Sequence, residues 1–166
     1  VLLGRMAFSP HGNVAFAAYR NVPGADLINP SQALSASGEV SCGGLSTTCR
    51  PVDLSSLSEG GQRLSSSARP RNIAVRHQSA IGNPVVYMIF EDDPRLGIAQ
   101  VDRTTTLMPA GTSGLVSLSL AEGPRAMALN QNASMLYLAA GVSAETAGAF
   151  AIETGNRRDA HGPPTP

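Results

Sequence analysis

The stretch GPRAMALNQNASMLYLAAG, Gly123 to Gly141, alternates apolar and polar residues, breaks at a polar turn and alternates again. Period-two alternation on both sides of a turn predicts two antiparallel strands. Two earlier stretches, GRMAFSPHGNVAFAAY and PRNIAVRHQSAIGNPVVYMIF, repeat the pattern, and the three align on Ala7, Ala74 and Ala128. Self-similarity spaced by tens of residues predicts stacked supersecondary units rather than one independent core.

Each unit continues with a third predicted strand that begins at a glycine. These strands are GADLIN at Gly24, GIAQVD at Gly97 and GAFAIE at Gly148. The segment Gly114 to Leu120, GLVSLSL, supplies a fourth strand to the second unit, and we expect a fourth strand of the first unit between Val52 and Ser66. No window carries helical periodicity with caps, so the sequence predicts an all-β fold of four-stranded antiparallel meanders.

A repeated four-stranded unit with apolar residues on both faces is typical of a β-propeller blade. We predict about three blades in an incomplete ring, at residues 4–66, 69–120 and 123–155, with a serine-rich insert at 31–67 and a tail or linker at 156–166. The aligned alanines suit the narrow inner strands, although a β-sandwich would use small residues similarly. Because propellers typically have four to eight blades, we expect remaining blades in a longer chain and self-association of this part when isolated.

Several segments resemble YVTN-type, lactonase-like β-propellers. The resemblance rests on a turn and an aromatic-bearing second strand, SPHGNVAFAAY, VVYMIF and MLYLAA, and on strand ends that read VDRTT and IETG. His11 replaces the usual turn acid, and no literal YVTN tetrapeptide occurs. The resemblance implies a propeller fold, but propellers of this kind perform many unrelated functions.

Charge and cysteine content narrow the class of protein. Twelve Lys and Arg balance twelve Asp and Glu, which argues against a nucleic-acid partner, and no apolar run is long enough to span a membrane. Cys42 and Cys49, the two cysteines, lie in a Ser-, Gly- and Thr-rich loop where a local disulfide can form, although two free thiols remain an alternative. A disulfide would indicate a periplasmic or extracellular protein.

The candidate binding residues are two arginines and two aspartates. Arg71 and Arg125 each follow a proline at the start of a unit, while Asp92 and Asp93 lie in EDDPR, between the second and third strands of the second unit. In a propeller these positions open on one face. The arginines could hold a carboxylate or phosphate bidentately, and the aspartates could hold calcium. Alternatively, the arginines close loops by bonding carbonyls and the aspartates are merely solvated.

Catalytic motifs are absent from the sequence, and no catalytic residue or resident cofactor is assigned. We interpret the scattered histidines, His11, His77 and His161, as solvent-facing rather than metal-binding. Two functions remain: a non-catalytic extracytoplasmic propeller that binds a protein, glycan or small anionic ligand on its loop face, or a lactonase-like hydrolase that uses a cation held by carboxylates in its central channel.

Overall fold

The computed structural model describes residues 2–9, 14–29, 49–76, 83–101, 113–118, 123–141 and 147–154. These residues form strands and turns, with no helix among them, as the all-β prediction requires. The described part of the chain accordingly contains no helix with the length and hydrophobicity of a membrane span. The strands are β1 (Leu3–Phe8), β2 (Ala15–Tyr19), β3 (Gly24–Ile28), β4 (Cys49–Asp53), β5 (Ser58–Glu59), β6 (Gln62–Arg63), β7 (Pro70–Arg76), β8 (Val85–Phe90), β9 (Leu96–Gln100), β10 (Gly114–Val116), β11 (Pro124–Leu129), β12 (Met135–Ala140) and β13 (Gly148–Glu153).

The strands form three larger antiparallel sheets, each a meander in chain order. The first sheet is β1-β2-β3-β4, the second is β7-β8-β9-β10 and the third is β11-β12-β13. Ala7, Ala74 and Ala128 all lie on the first strand of their sheet. The fourth strand of the first sheet is Cys49–Asp53, so the expected position between Val52 and Ser66 was wrong except for its first two residues. Pro51 is tolerated there because β4 is an edge strand, where a missing N–H breaks no ladder.

The three sheets share a backbone irregularity that the sequence alignment did not predict. In β7, Pro70 pairs with Phe90 and Asn72 pairs with Ile89, which leaves Arg71 as one extra residue in a β-bulge. In β11, the same shift between Pro124 and Ala126 leaves Arg125 extra. The register of β1 also shifts by one residue, between Leu3 and Met6. The repeat is therefore present in the strand pairing as well as in the residues.

The sheets pack face to face in chain order, with their first strands together. Strand β7 contacts both β1 and β11. One apolar cluster fills the space between the first and second sheets, and another lies between the second and third. Asn72 donates from Nδ2 to the carbonyl of Met127 at 3.3 Å, and Arg76 donates to the carbonyl of Thr154 at 2.7 Å, so hydrogen bonds also join the second sheet to the third.

A small hairpin, β5–β6, closes the outer side of the second sheet. Its turn uses Gly60 and Gly61, both at positive φ, 55° and 83°, where a side chain would be strained. Glu59 accepts hydrogen bonds from the backbone N–H of Ser117, at 2.9 Å, and from its hydroxyl, at 2.6 Å. The hairpin is thereby tied to the segment that follows β10.

Cys49 is disulfide-bonded and fully buried at the start of β4. Its predicted partner, Cys42, lies outside the described residues, as do the three histidines, residues 31–48 of the serine-rich insert and the tail. The bonded state of Cys49 agrees with the prediction of a disulfide, and the pairing with Cys42 stays a prediction.

Candidate ligand-binding groove

The four candidate binding residues line one surface groove of about 220 Å³. The groove lies where β7 and β11 begin and where the chain passes from β8 to β9. Its lining residues are Arg71, Phe90, Glu91, Asp92, Asp93, Pro94, Gly123, Pro124 and Arg125. The expectation that these arginines and aspartates share one face of the molecule therefore agrees with their positions.

The β-bulges explain how both arginines reach the groove. A bulged residue has no partner in the ladder, and the local bend changes the direction of its side chain. Arg71 and Arg125 are the extra residues of their strands, at matching positions of neighbouring sheets. Arg71 is half-buried and Arg125 is exposed. Two guanidinium groups are thus supplied to one groove by the same backbone device.

Asp92 is held by a third arginine, Arg69, which precedes β7. The Arg69 guanidinium donates from Nε at 2.9 Å and from Nη2 at 2.8 Å to the two carboxylate oxygens of Asp92. It also lies 3.2 Å from the carboxylate of Glu91. The hydrogen bond from Arg69 lowers the pKa of Asp92, and the charge of Arg71 adds a smaller lowering contribution. Asp92 therefore stays ionised and orients the loop rather than facing an open cation site.

Asp93 forms a more buried pair with Arg95. The two side chains are only 11% and 15% exposed, and Arg95 donates to Asp93 from Nε at 2.9 Å and from Nη2 at 2.6 Å. Burial raises the pKa of Asp93, but the hydrogen bonds and charge of Arg95 outweigh it, so the pKa lies below its ordinary value. Arg95 also donates to the carbonyls of Gln62 and Arg63, which fastens the loop to the β5–β6 hairpin.

A close backbone contact sets the distance across the groove. A Cβ on Gly123 would lie 3.0 Å from Cα of Pro94, closer than nearly all real Cβ contacts. Glycine at position 123 therefore allows the β8–β9 loop and the start of β11 to approach each other. This contact brings the loop that carries Asp92 and Asp93 next to Arg125.

Two arginines and three carboxylates line the groove: Arg71 and Arg125, with Glu91, Asp92 and Asp93. Arg69 and Arg95 lie outside the lining and pair with these carboxylates. Asp92 and Asp93 are each engaged bidentately by an arginine that does not line the groove. Among the described residues, no three His, Cys, Asp or Glu side chains are grouped as metal ligands. The possible calcium site remains a prediction without support from this geometry.

Arg69 and Arg95 were not among the binding residues predicted from the sequence. Arg95 donates to the carbonyls of Gln62 and Arg63, the kind of loop-closing contact that was considered as an alternative for Arg71 and Arg125. A local signal existed, because Asp93 accepts from the N–H of Arg95 two residues later, at 3.0 Å, a turn typical of aspartate. Nothing local marks the pairing of Arg69 with Asp92, which are 23 residues apart.

A second cavity, of about 350 Å³, lies further along the first strands. Its walls come from all three sheets and are mostly apolar, with polar side chains at one end. The residues are Ala7, Phe8, Ile73, Ala74, Val75, Met127, Ala128, Leu129, Asn130 and Gln131. It lacks the charged side chains that distinguish the groove.

Comparison with known proteins gives a distant structural likeness. No family model matches the chain, and no curated protein matches it. A solved structure that resembles it is the periplasmic gluconolactonase PpgL of Pseudomonas aeruginosa, with 18% sequence identity and a TM-score of 0.41. The match covers 99% of this chain and 41% of that chain, so this chain spans about two fifths of the neighbour's length. The likeness is too distant to transfer the neighbour's activity.

Proposed function

We propose that this chain is a non-catalytic ligand-binding part of an extracytoplasmic β-propeller, and that its groove holds one anionic group between Arg71 and Arg125. The three sheets would be blades, with β1, β7 and β11 as inner strands. The ligand would be a small anionic molecule, or an acidic group of a glycan or protein. The observation that carries the proposal is that two bulged arginines of successive repeats line one groove.

The groove's size and chemistry support recognition of a single charged group. Its volume of about 220 Å³ is below the range of about 300–1,000 Å³ typical of sites that enclose a whole drug-sized ligand. Arginine side chains bind carboxylate, sulfate and phosphate groups through parallel N–H···O bonds. Because other arginines already engage Asp92 and Asp93, these carboxylates compete less for the guanidinium groups in the groove.

The disulfide at Cys49 supports the extracytoplasmic part of the proposal. Disulfides form and persist in oxidising compartments and are rare in the cytosol. Cys49 is fully buried at the edge of the first sheet, so its sulfur belongs to the packed structure. Cys49 does not line the groove, so its disulfide supports an oxidising compartment independently of the groove.

The groove gives less support to the hydrolase alternative. It requires carboxylates directed at a cation, and both aspartates of the groove are instead bonded to arginines. The binding proposal requires only the arginines.

A titration with sulfate tests the proposal. NMR chemical shifts are followed while sulfate replaces chloride at constant ionic strength. We expect saturable shifts at the start of β7 and β11. Arg71→Ala or Arg125→Ala should each weaken sulfate binding about tenfold or more, since a hydrogen bond to a charged group contributes about 1.5–3 kcal/mol. Melting temperature should hardly change.

The matched control is Arg5→Ala. Arg5 is an exposed arginine beside the corresponding bulge of the first sheet, but it does not line the groove. The control should leave sulfate affinity unchanged. Equal weakening by all three substitutions would show a nonspecific charge effect and contradict the proposal.

A further inference from the structure

The turn between β11 and β12 contains a sequence motif that the groove does not use. The residues from Asn132 to Ser134 read Asn-Ala-Ser, which fits Asn-x-Ser with x other than proline, the acceptor motif for N-linked glycosylation. No other asparagine of the sequence fulfils this motif. Asn29 comes nearest, but it is followed by Pro30, and proline at that position excludes the motif. The sequence therefore contains a single candidate acceptor.

The asparagine and the serine of the motif contact each other in the structure. The Oδ1 atom of Asn132 accepts hydrogen bonds from the backbone N–H of Ser134, at 3.2 Å, and from its hydroxyl, at 2.7 Å. An asparagine that accepts from the backbone two residues later forms an Asx turn. The Ser134 hydroxyl also accepts a hydrogen bond from Nδ2 of Asn130, at 3.0 Å. The turn thus brings together the two side chains that the motif requires.

Hydrogen bonds within the third sheet fix the conformation of this turn. The N–H of Asn130 donates to the carbonyl of Met135, and the Oδ1 atom of Asn130 accepts from the N–H of Met135, both at 3.0 Å. The N–H of Thr154 donates to the carbonyl of Ser134 at 3.0 Å, and the Thr154 hydroxyl donates to the carbonyl of Ala133. These residues belong to the β11–β12 hairpin or follow β13, so the third sheet itself sets the shape of the motif.

Asn132 is exposed, although the next residue is packed inside the turn. Ala133 is 0% exposed and has a φ of 55°, in the left-handed region. Asn132 lies at the surface beside it. An exposed asparagine leaves room for a bulky oligosaccharide. Ser134 contacts Oδ1, whereas a glycan is attached to Nδ2, which keeps one N–H after the attachment. Glycosylation is therefore compatible with the hydrogen bonds of the turn.

We propose that Asn132 is a site of N-linked glycosylation. The substrate class is a lipid-linked oligosaccharide, used by an oligosaccharyltransferase. Nδ2 of Asn132 forms a bond to the anomeric carbon of the first sugar and releases one proton. The bond from that carbon to the diphosphate of the lipid breaks, and the lipid diphosphate leaves with the electron pair. The disulfide of Cys49 supports the proposal, because disulfides form in oxidising compartments such as the lumen of the endoplasmic reticulum.

The proposed glycan lies far from the ligand-binding groove. Strand β11 begins beside the groove at Pro124 and ends at Leu129. A strand of this length spans about 20 Å, and Asn132 lies beyond its far end. A glycan there leaves Arg71 and Arg125 accessible. The proposal goes beyond ligand binding and shares with it only the oxidising compartment.

The test is secretion of the 166-residue chain from eukaryotic cells behind a cleavable signal peptide, followed by mass spectrometry. We expect one oligosaccharide per chain. Its release by peptide N-glycosidase in heavy-oxygen water should leave a labelled aspartate at position 132. Asn29, which is followed by proline, is the internal control and should stay unmodified. If the chain is retained in the cell, translation into microsomes gives the same readout without secretion.

Three variants separate the motif from the shape of the turn. Asn132→Asp keeps an oxygen that can accept from Ser134 but lacks the amide nitrogen, and Ser134→Ala keeps the asparagine but lacks the hydroxyl. Both should lose the glycan, with circular dichroism like that of wild type. Ala133→Gly keeps the motif and suits the positive φ, so it should remain glycosylated. A wild-type chain without a glycan on Asn132, or a Ser134→Ala variant that still carries one there, overturns the proposal.

Discussion

Two pairs of arginines lie around the same loop and have different surroundings. Arg69 directly precedes β7 and Arg95 directly precedes β9, and each forms a bidentate pair with an aspartate of the loop. Arg71 and Arg125 are the extra residues of β-bulges and line the groove beside that loop. The comparison indicates that the backbone position of an arginine, rather than its charge, distinguishes a structural contact from a candidate ligand contact. Substitutions in each pair should therefore change different properties.

The largest expected effect on stability is that of Arg95→Ala. It removes the pair with Asp93 and two hydrogen bonds to carbonyls of the β5–β6 hairpin. Leaving a mostly buried carboxylate without its partner should lower the free energy of unfolding by about 2 kcal/mol. Urea denaturation measures this change. A loss as small as that of a surface substitution would contradict the structural role of Arg95.

An intermediate and pH-dependent effect is expected at Asp93. The pKa of Asp93 is lowered in the folded state. The pair of Asp93 with Arg95 therefore stabilises the fold at pH values above the ordinary carboxyl pKa of about 3.9. This stabilisation is lost as pH falls through the lower folded-state pKa. Asp93→Asn should therefore be less stable than wild type by about 1 kcal/mol near pH 7. The gap should narrow as pH falls below the ordinary pKa of the carboxyl, and it should close once pH is below the lowered folded-state pKa. A gap that widens toward acid pH would contradict the assigned direction.

The smallest effect on stability is expected for Arg69→Ala. Its pairs with Glu91 and Asp92 are exposed, so solvent and salt screen them. The melting temperature should fall less than in Arg95→Ala, and the difference from wild type should disappear in about 1 M NaCl. A salt-independent loss of stability comparable to that of Arg95→Ala would contradict this expectation, because both arginine–aspartate pairs would then stabilise the fold equally.

The all-β meander pattern was largely predictable because its signals are local. Alternation, turn residues and the aligned alanines Ala7, Ala74 and Ala128 each act within a few residues, so strand positions followed from them. The fourth strand of the first sheet was misplaced because Cys49–Asp53 contains Pro51, which argues against a central strand but is acceptable at an edge.

The groove was predictable only in part. The Pro-Arg dipeptides at the start of two units drew attention to Arg71 and Arg125, but the bulges depend on cross-strand register, which the local sequence does not show. The pairing of Arg69 with Asp92 depends on two segments that the fold brings together. Long-range partners of this kind need the tertiary structure.

The most direct test of the central claim is a crystal structure of the chain with selenate, a sulfate analogue located by its anomalous signal. We predict an anomalous selenium peak between Arg71 and Arg125. Oxygens of that selenate should lie about 2.7–3.2 Å from guanidinium nitrogens of both arginines. Arg69 and Arg95 should remain bonded to Asp92 and Asp93. A peak elsewhere, or Arg71 and Arg125 bonded to loop carbonyls and directed away from the groove, would contradict the account.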